Sequence, residues 1–329
     1  MNPSLPNSNK NLNKEKPGDD NATSRSSNQQ EHMMRMLLPL FFGLTTSLTC
    51  AMPVKIALSQ IVQPTWKPTR LGSAMAQYTA LGALGEFLIN PICGHYADGA
   101  GRRSMMLQTL LGSALFRVCA GVFTSPFSVF AEQIVAKTLD TVAITTARAV
   151  VYDVLNGDEI AVILPKLLAG AGLGIILGPL VGLGILKLTN SPRVVMTISG
   201  VLGGLNAAYT WKYLQETVVP DQRVPFAWSQ ASPFNFIQLL TESKAMFQLM
   251  TTTFLATLSD GRNCMDANTT FQRTELNWSQ SQTGMYIASS GVRVMAGGLV
   301  GFVLQKCLSM NVSVRRGCFP FLGLRGGIF

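Results

Sequence analysis

The chain has 329 residues, 47% of them apolar and only 13% charged, with a net charge of +9. So few charges on so long a chain exclude an ordinary soluble domain, where about a quarter of residues are charged. The excess of positive charge does not mark a nucleic-acid binder either, because the basic residues interrupt long apolar runs and form no groove for phosphates.

Residues 1–34 are rich in Asn, Ser, Lys and Asp, with no apolar core before Met33. This composition predicts a disordered cytoplasmic tail rather than a signal or transit peptide. From Leu37 onward apolar runs recur, each of the roughly 20 residues that carry a helix across a hydrocarbon core about 30 Å thick. They predict spans near 37–62, 72–97, 104–124, 127–150, 167–188, 194–214, 245–263 and 282–308. The seventh has a continuous apolar part of only 245–258, so it must run on through Ser259, Asp260 and Gly261 or enter the bilayer broken. The expected fold class is all-α, a polytopic membrane helix bundle of about eight transmembrane helices. With the N-terminus in the cytoplasm, about 15 Lys and Arg lie inside and about 6 outside, the bias of cytoplasmic loops. The six cysteines have no CxxC spacing, which argues against a disulfide framework or a zinc site, and no cofactor is expected.

Between the second and third runs stands "GHYADGAGRR", residues 94–103. A dinucleotide fingerprint would need a third glycine where Ser104 stands, and a preceding strand. An ordinary positive-inside loop needs only Arg102 and Arg103 and leaves Asp98 and the glycines unexplained. The spacing Gly94, Asp98, Gly101, Arg102, Arg103 resembles the signature between spans two and three of major facilitator superfamily transporters, with Gly99 where that family usually has a basic residue. "GLGIILGPLVGLG" at 172–184 is similar to the span-five pattern of the family's drug:proton antiporter branch, at Gly174, Gly178, Pro179 and Gly182. "ARAVVYDVLNGDE" at 147–159 resembles the end of span four, "YLQET" at 213–217 the exit from span six, and the stretch 232–250 the linker into span seven.

The resemblance implies a first six-helix half over 35–217, a cytoplasmic linker at 218–244, and the first two helices of a second half over 245–308. It also implies a cytoplasmic latch of Gly94, Asp98, Gly101, Arg102 and Arg103 joined by Arg148 and Asp153. The glycines of the fifth span permit close helix packing, and Pro179 frees a carbonyl and favours a bend.

Charges inside spans are costly and usually face a cavity or a partner. Lys137, Asp140, Thr141 and Arg148 fall within about a third of the circumference of the fourth span, a polar stripe that lines a water-filled cavity or pairs Lys137 with Asp140 internally. Glu86, Arg117 and Arg293 are further lone charges. Glu86, Lys137, Asp140 and Arg293 are therefore candidates for the cavity and for proton coupling, since a desolvated carboxylate is easier to protonate. Two sequons, at Asn268 and Asn277, fall in the expected outer loop after span seven, although Asn21 in the tail is a third.

The resembled fold has twelve spans in two halves, whereas this chain ends after the eighth, with a degenerate second basic pair at Arg315 and Arg316 in a truncated tail, 309–329. The expectation is an incomplete transporter that moves a small solute of unknown identity by alternating access, with proton-coupled efflux as its mode. The alternative is a non-transporting interaction or regulatory half-transporter that binds a partner chain. An enzyme is not expected, because no HExxH or GxSxG stretch occurs and the histidines are only His32 and His95.

Overall fold

The structure is a computed structural model that describes residues 19–155, 157–218 and 243–309 except 260–264, with the shorter stretches 221, 223–228, 231–234, 237 and 241 between them. Every regular element among these residues is helical. In chain order they are α1 (Asp19–Cys50), a 3-10 turn (Met52–Val54), α2 (Lys55–Val62), α3 (Pro68–Ala100), α4 (Arg102–Val122) and α5 (Pro126–Ala131). A π-helical segment (Glu132–Ala136) then leads into α6 (Lys137–Val154), α7 (Gly157–Thr189), α8 (Pro192–Tyr213), α9 (Lys244–Ser259), α10 (Met265–Thr274) and α11 (Gln280–Ser309).

Local chemistry sets the boundaries. Pro68, Pro126 and Pro192 sit at or next to the first helical position, where a missing N–H costs nothing. Ser125 and Ser128 form a reciprocal capping box at the start of α5. Gly101, at φ 101°, turns the chain between α3 and α4 in a conformation that side chains other than glycine's rarely allow. α1 begins at Asp19, well inside the stretch expected to be disordered. At its other end the first apolar run is divided by the turn at Pro53, so α1 and α2 are separate helices.

By length and composition, four segments among the described residues can cross a membrane: Glu31–Val62, Arg102–Val122, Glu159–Thr189 and Gln280–Leu304. Of the other expected spans, α3 carries Glu86, the α5–α6 run carries Glu132, Lys137, Asp140 and Arg148, and α9 has only 16 residues. Residues 260–264, through which the seventh span was expected to continue, lie outside the described residues.

The main core joins α1, α4, α6, α7 and α8 through Leu37, Leu40, Met106, Val150, Leu167 and Ala207. α7 packs between α1 and α11, α4 between α6 and α8, and α3 against α6. The outward faces stay apolar, with Leu115, Phe127, Leu205 and Phe254 exposed, as a hydrocarbon solvent requires.

Candidate functional site: two ion networks joined by glycine-packed helices

Arg117 on α4 is 1% exposed, yet it carries a full charge that cannot be left alone in a membrane interior. Its guanidinium is bound to Asp140 of α6 through Nη2, donates to Ser47 Oγ of α1 at 3.3 Å, and lies 3.8 Å from Glu132 Oε1. Glu132 in turn pairs with Lys55 of α2 at 3.3 Å, and the same ammonium donates to Gln133 Oε1 at 3.0 Å. The Gln133 amide nitrogen donates to Thr79 Oγ1 of α3 at 2.9 Å. Two cations and two anions thus balance, and Glu132 and Asp140 are each 2% exposed. Asp140 Oδ1 remains buried without a hydrogen-bond partner among the described residues. Beside Lys55 and Glu132 a small open niche is bounded by Ser59, Met75, Phe130 and Met196.

The π-helical segment brings the two carboxylates to one arginine. At about 100° per residue, Glu132 and Asp140 would point about 80° apart on a regular helix. A π turn takes up one extra residue, which reduces that angle to about 20°. Beyond this segment, on regular helix, Lys137 faces α3, where its ammonium lies 4.0 Å from Glu86 Oε1, and it makes no pair with Asp140. The expected stripe is therefore divided between two partner helices. Lys55 and Glu132 complete the network without having been singled out as site residues. The available signal was a lysine inside the first apolar run.

A second network closes the end of the bundle around Gly101. Arg102 pairs with Asp98 at 2.6 Å and with Asp153 Oδ2 at 3.1 Å. Thr217 Oγ1 donates to the same Asp153 oxygen at 3.1 Å. Glu216, from the "YLQET" exit, accepts the first two amides of α4, Arg102 N at 2.8 Å and Arg103 N at 3.3 Å, a carboxylate at a helix N-terminus. Its carboxylate lies against Gly101, where a Cβ would collide with it. The Arg103 guanidinium is bound to the Trp211 carbonyl. Arg148 stays outside this network and is exposed, because five residues before Asp153 it points about 140° away around α6. Gly94 has open space where its side chain would be, so nothing there demands a glycine.

The two networks lie toward opposite ends of α4, and glycine faces pack the helices beside them. On α7, Gly170, Gly174, Gly178 and Gly182 meet α1 near Leu38, Thr45, Thr49 and Cys50, and a Cβ at Gly178 would stand 2.8 Å from the Thr46 carbonyl. The opposite side of α7 meets α11: Gly284, Gly291 and Gly298, seven residues apart, lie against Leu183, Ile176 and Ala169. Small residues at this spacing let backbones approach closely. α7 stays one continuous helix through Pro165 and Pro179. Arg293, about 200° from Gly291, is exposed on the far side of α11 and joins no ion pair among the described residues. Among the described residues no cluster of His, Cys, Asp and Glu is arranged to hold a metal.

Comparison with known proteins follows the same lines. Residues 36–327 match the Major Facilitator Superfamily. Over 217 residues the chain is 28% identical to the class C tetracycline resistance protein of Escherichia coli, a match that covers 65% of this chain. The chain spans about half the length of that curated relative, 52%. Among solved structures, the human organic anion transporter MFSD10 (TETRAN) superposes with a TM-score of 0.65 at 16% identity, over 83% of this chain and 72% of that one.

Proposed function

From the chain's membership of the major facilitator superfamily, to which it belongs by the match over residues 36–327, we propose that it moves a small solute across a membrane by alternating access, coupled to protons. The observation that carries the proton coupling is the balanced buried network, in which Asp140 has one oxygen on Arg117 and one without a partner. A proton on Asp140 unbalances the cluster and weakens the tie between α4 and α6. That change frees the two helices to shift against each other. Drug-like solutes and outward movement are the proposed substrate class and direction, in keeping with a relative named for tetracycline resistance.

In this reading the chain crosses the bilayer about eight times, in the halves and linker predicted from the sequence, with the N-terminus in the cytoplasm. The Arg102 network is then a latch on the cytoplasmic face, closed when Asp98, Asp153 and Glu216 hold the start of α4.

The test is flux in proteoliposomes under an imposed pH gradient, with tetracycline and a fluorescent organic anion as probes. The expected result is gradient-dependent flux of at least one probe, with Asp140→Asn flux insensitive to pH. Coupling at Asp140 is disproved if the variant keeps the wild-type pH profile. Absence of flux for every probe, in both directions, would instead favour a non-transporting interaction protein.

A further inference from the structure

The linker between α8 and α9 rests on α3, and the contact accounts for the glycine that stands where the family signature is usually basic. The Val224 carbonyl lies over Gly99, so close that a Cβ there would stand 2.7 Å from its oxygen. One turn back along α3, the Ala227 N–H donates to His95 Nε2 at 2.9 Å, and the Phe226 ring packs on the imidazole with centroids 5.4 Å apart. Farther along, Phe234 meets Phe87 edge-on at 6.1 Å. Residues 87, 95 and 99 fall within about a third of the helix circumference, so these contacts share one face of α3.

An imidazole nitrogen that accepts a hydrogen bond carries no proton, which requires the neutral ring with its proton on Nδ1. The protonated ring has two donors and no acceptor, and it would set an N–H against the Ala227 N–H. Histidine is the side chain whose charge ordinarily changes between about pH 5 and 8. We propose that residues 223–228 form a proton-sensitive strap, fastened across α3 while His95 is neutral and released when it is protonated.

The charged groups around this end are already engaged or turned outward. Asp98, one turn on along α3, is held by Arg102, and Asp153 at the end of α6 is held by the same arginine. Glu216 binds the start of α4, and Arg103 binds the Trp211 carbonyl. On the linker itself Asp221 and Arg223 are exposed. Elsewhere on the elements packed against α3, Lys55 and Asp140 belong to the interior network, Lys137 faces Glu86, Arg148 is exposed and Arg273 lies on α10. None of them forms an ion pair with His95 among the described residues. The strap lies one turn from the Asp98–Arg102 pair, so its release uncovers that network to the compartment whose acidity released it.

The experiment is hydrogen–deuterium exchange of the full chain in nanodiscs, following peptides over 223–228 at pH 8 and pH 5 with labelling times scaled for the intrinsic pH effect. Gly99→Ala, whose new methyl displaces Val224, provides the unstrapped reference. At pH 8 the wild type should exchange about tenfold more slowly than Gly99→Ala, and at pH 5 at the same rate. His95→Gln, which offers an acceptor that does not titrate, should stay slow at both; if it is fast at both, the fastening still belongs to the imidazole. Protection that persists in the wild type at pH 5, that is lost equally in His95→Gln on acidification, or that never exceeds Gly99→Ala at pH 8 overturns the proposal.

Discussion

The two ion networks contain similar chemistry in different surroundings. Around Arg117 the carboxylates are 2% exposed and every charge has a counterpart within the bundle. Around Arg102 the Asp98 side chain is 39% exposed and water shares the load. A buried cluster tolerates no lone member, because a charge that loses its partner there has nothing to replace it. An interfacial cluster can lose one, since solvent and headgroups substitute. The interior network therefore holds fast only while every member keeps its charge, whereas the loss of one member from the end network costs little.

Arg117→Met separates the two most strongly. It strands Asp140 and leaves Glu132 to Lys55 alone, and it should cost about 3–5 kcal/mol of stability in detergent micelles. Adding Asp140→Leu should recover much of that loss, as thermal unfolding of the single and double variants would show. A loss under about 1 kcal/mol for Arg117→Met would mean that water reaches the interior cluster, and the contrast would fail. Gly101→Ala comes next, at about 1–3 kcal/mol, because alanine must adopt a positive φ. Its unfolding should also reveal a start of α4 no longer held by Glu216, as faster amide exchange at Arg102 and Arg103.

Arg102→Gln should cost only about 0–1 kcal/mol, and the difference from wild type should shrink as salt is raised from low ionic strength to about 0.5 M. A cost that salt leaves unchanged would place this arginine with the interior kind. The mildest perturbation fixes which compartment each network faces. α11 runs antiparallel to α7, so Asn277 lies at the end of the bundle opposite Arg102. If Arg102 faces the cytoplasm, expression in a glycosylating host should add a glycan at exposed Asn277, and Asn277→Gln should remove it. Asn268, whose amide nitrogen donates to Tyr286 Oη at 3.1 Å, should be modified less. Modification of Asn21 alone would invert the orientation.

Helix positions were largely readable in the sequence because apolar runs of span length have few other uses in a chain. The runs expected at 104–124 and 194–214 correspond to α4 and α8 within a few residues, and that at 167–188 lies inside α7, which begins ten residues earlier. The reversal at Gly101 was readable for a different reason, because a glycine, an aspartate and adjacent arginines have few neutral explanations together, although residues 94–100 belong to α3 and the turn itself is Gly101. Local pattern failed where a contact joins distant segments. Lys55 and Glu132 are 77 positions apart, and Glu216 is 114 positions from the Arg102 amide it holds. The wheel drawn for the fourth span assumed a uniform pitch, and the π turn at its start changed the angle between Glu132 and the residues beyond it.

That turn also bears on how the fold can vary. The meeting of Glu132 and Asp140 at Arg117 depends on the pitch of the helix between them rather than on the identity of the intervening residues. A substitution scan through Gln133–Ala136 is nearly blind to such a feature, since it leaves the count unchanged. An ordinary helix of the same length would swing one carboxylate about a fifth of a turn off its arginine, whereas removing a single residue there would restore an ordinary helix with the carboxylates seven positions apart and keep them about 20° from alignment. Homologous chains are therefore best compared here by gaps, and a relative with a one-residue gap in this segment should bring the same two carboxylates to its arginine on a regular helix.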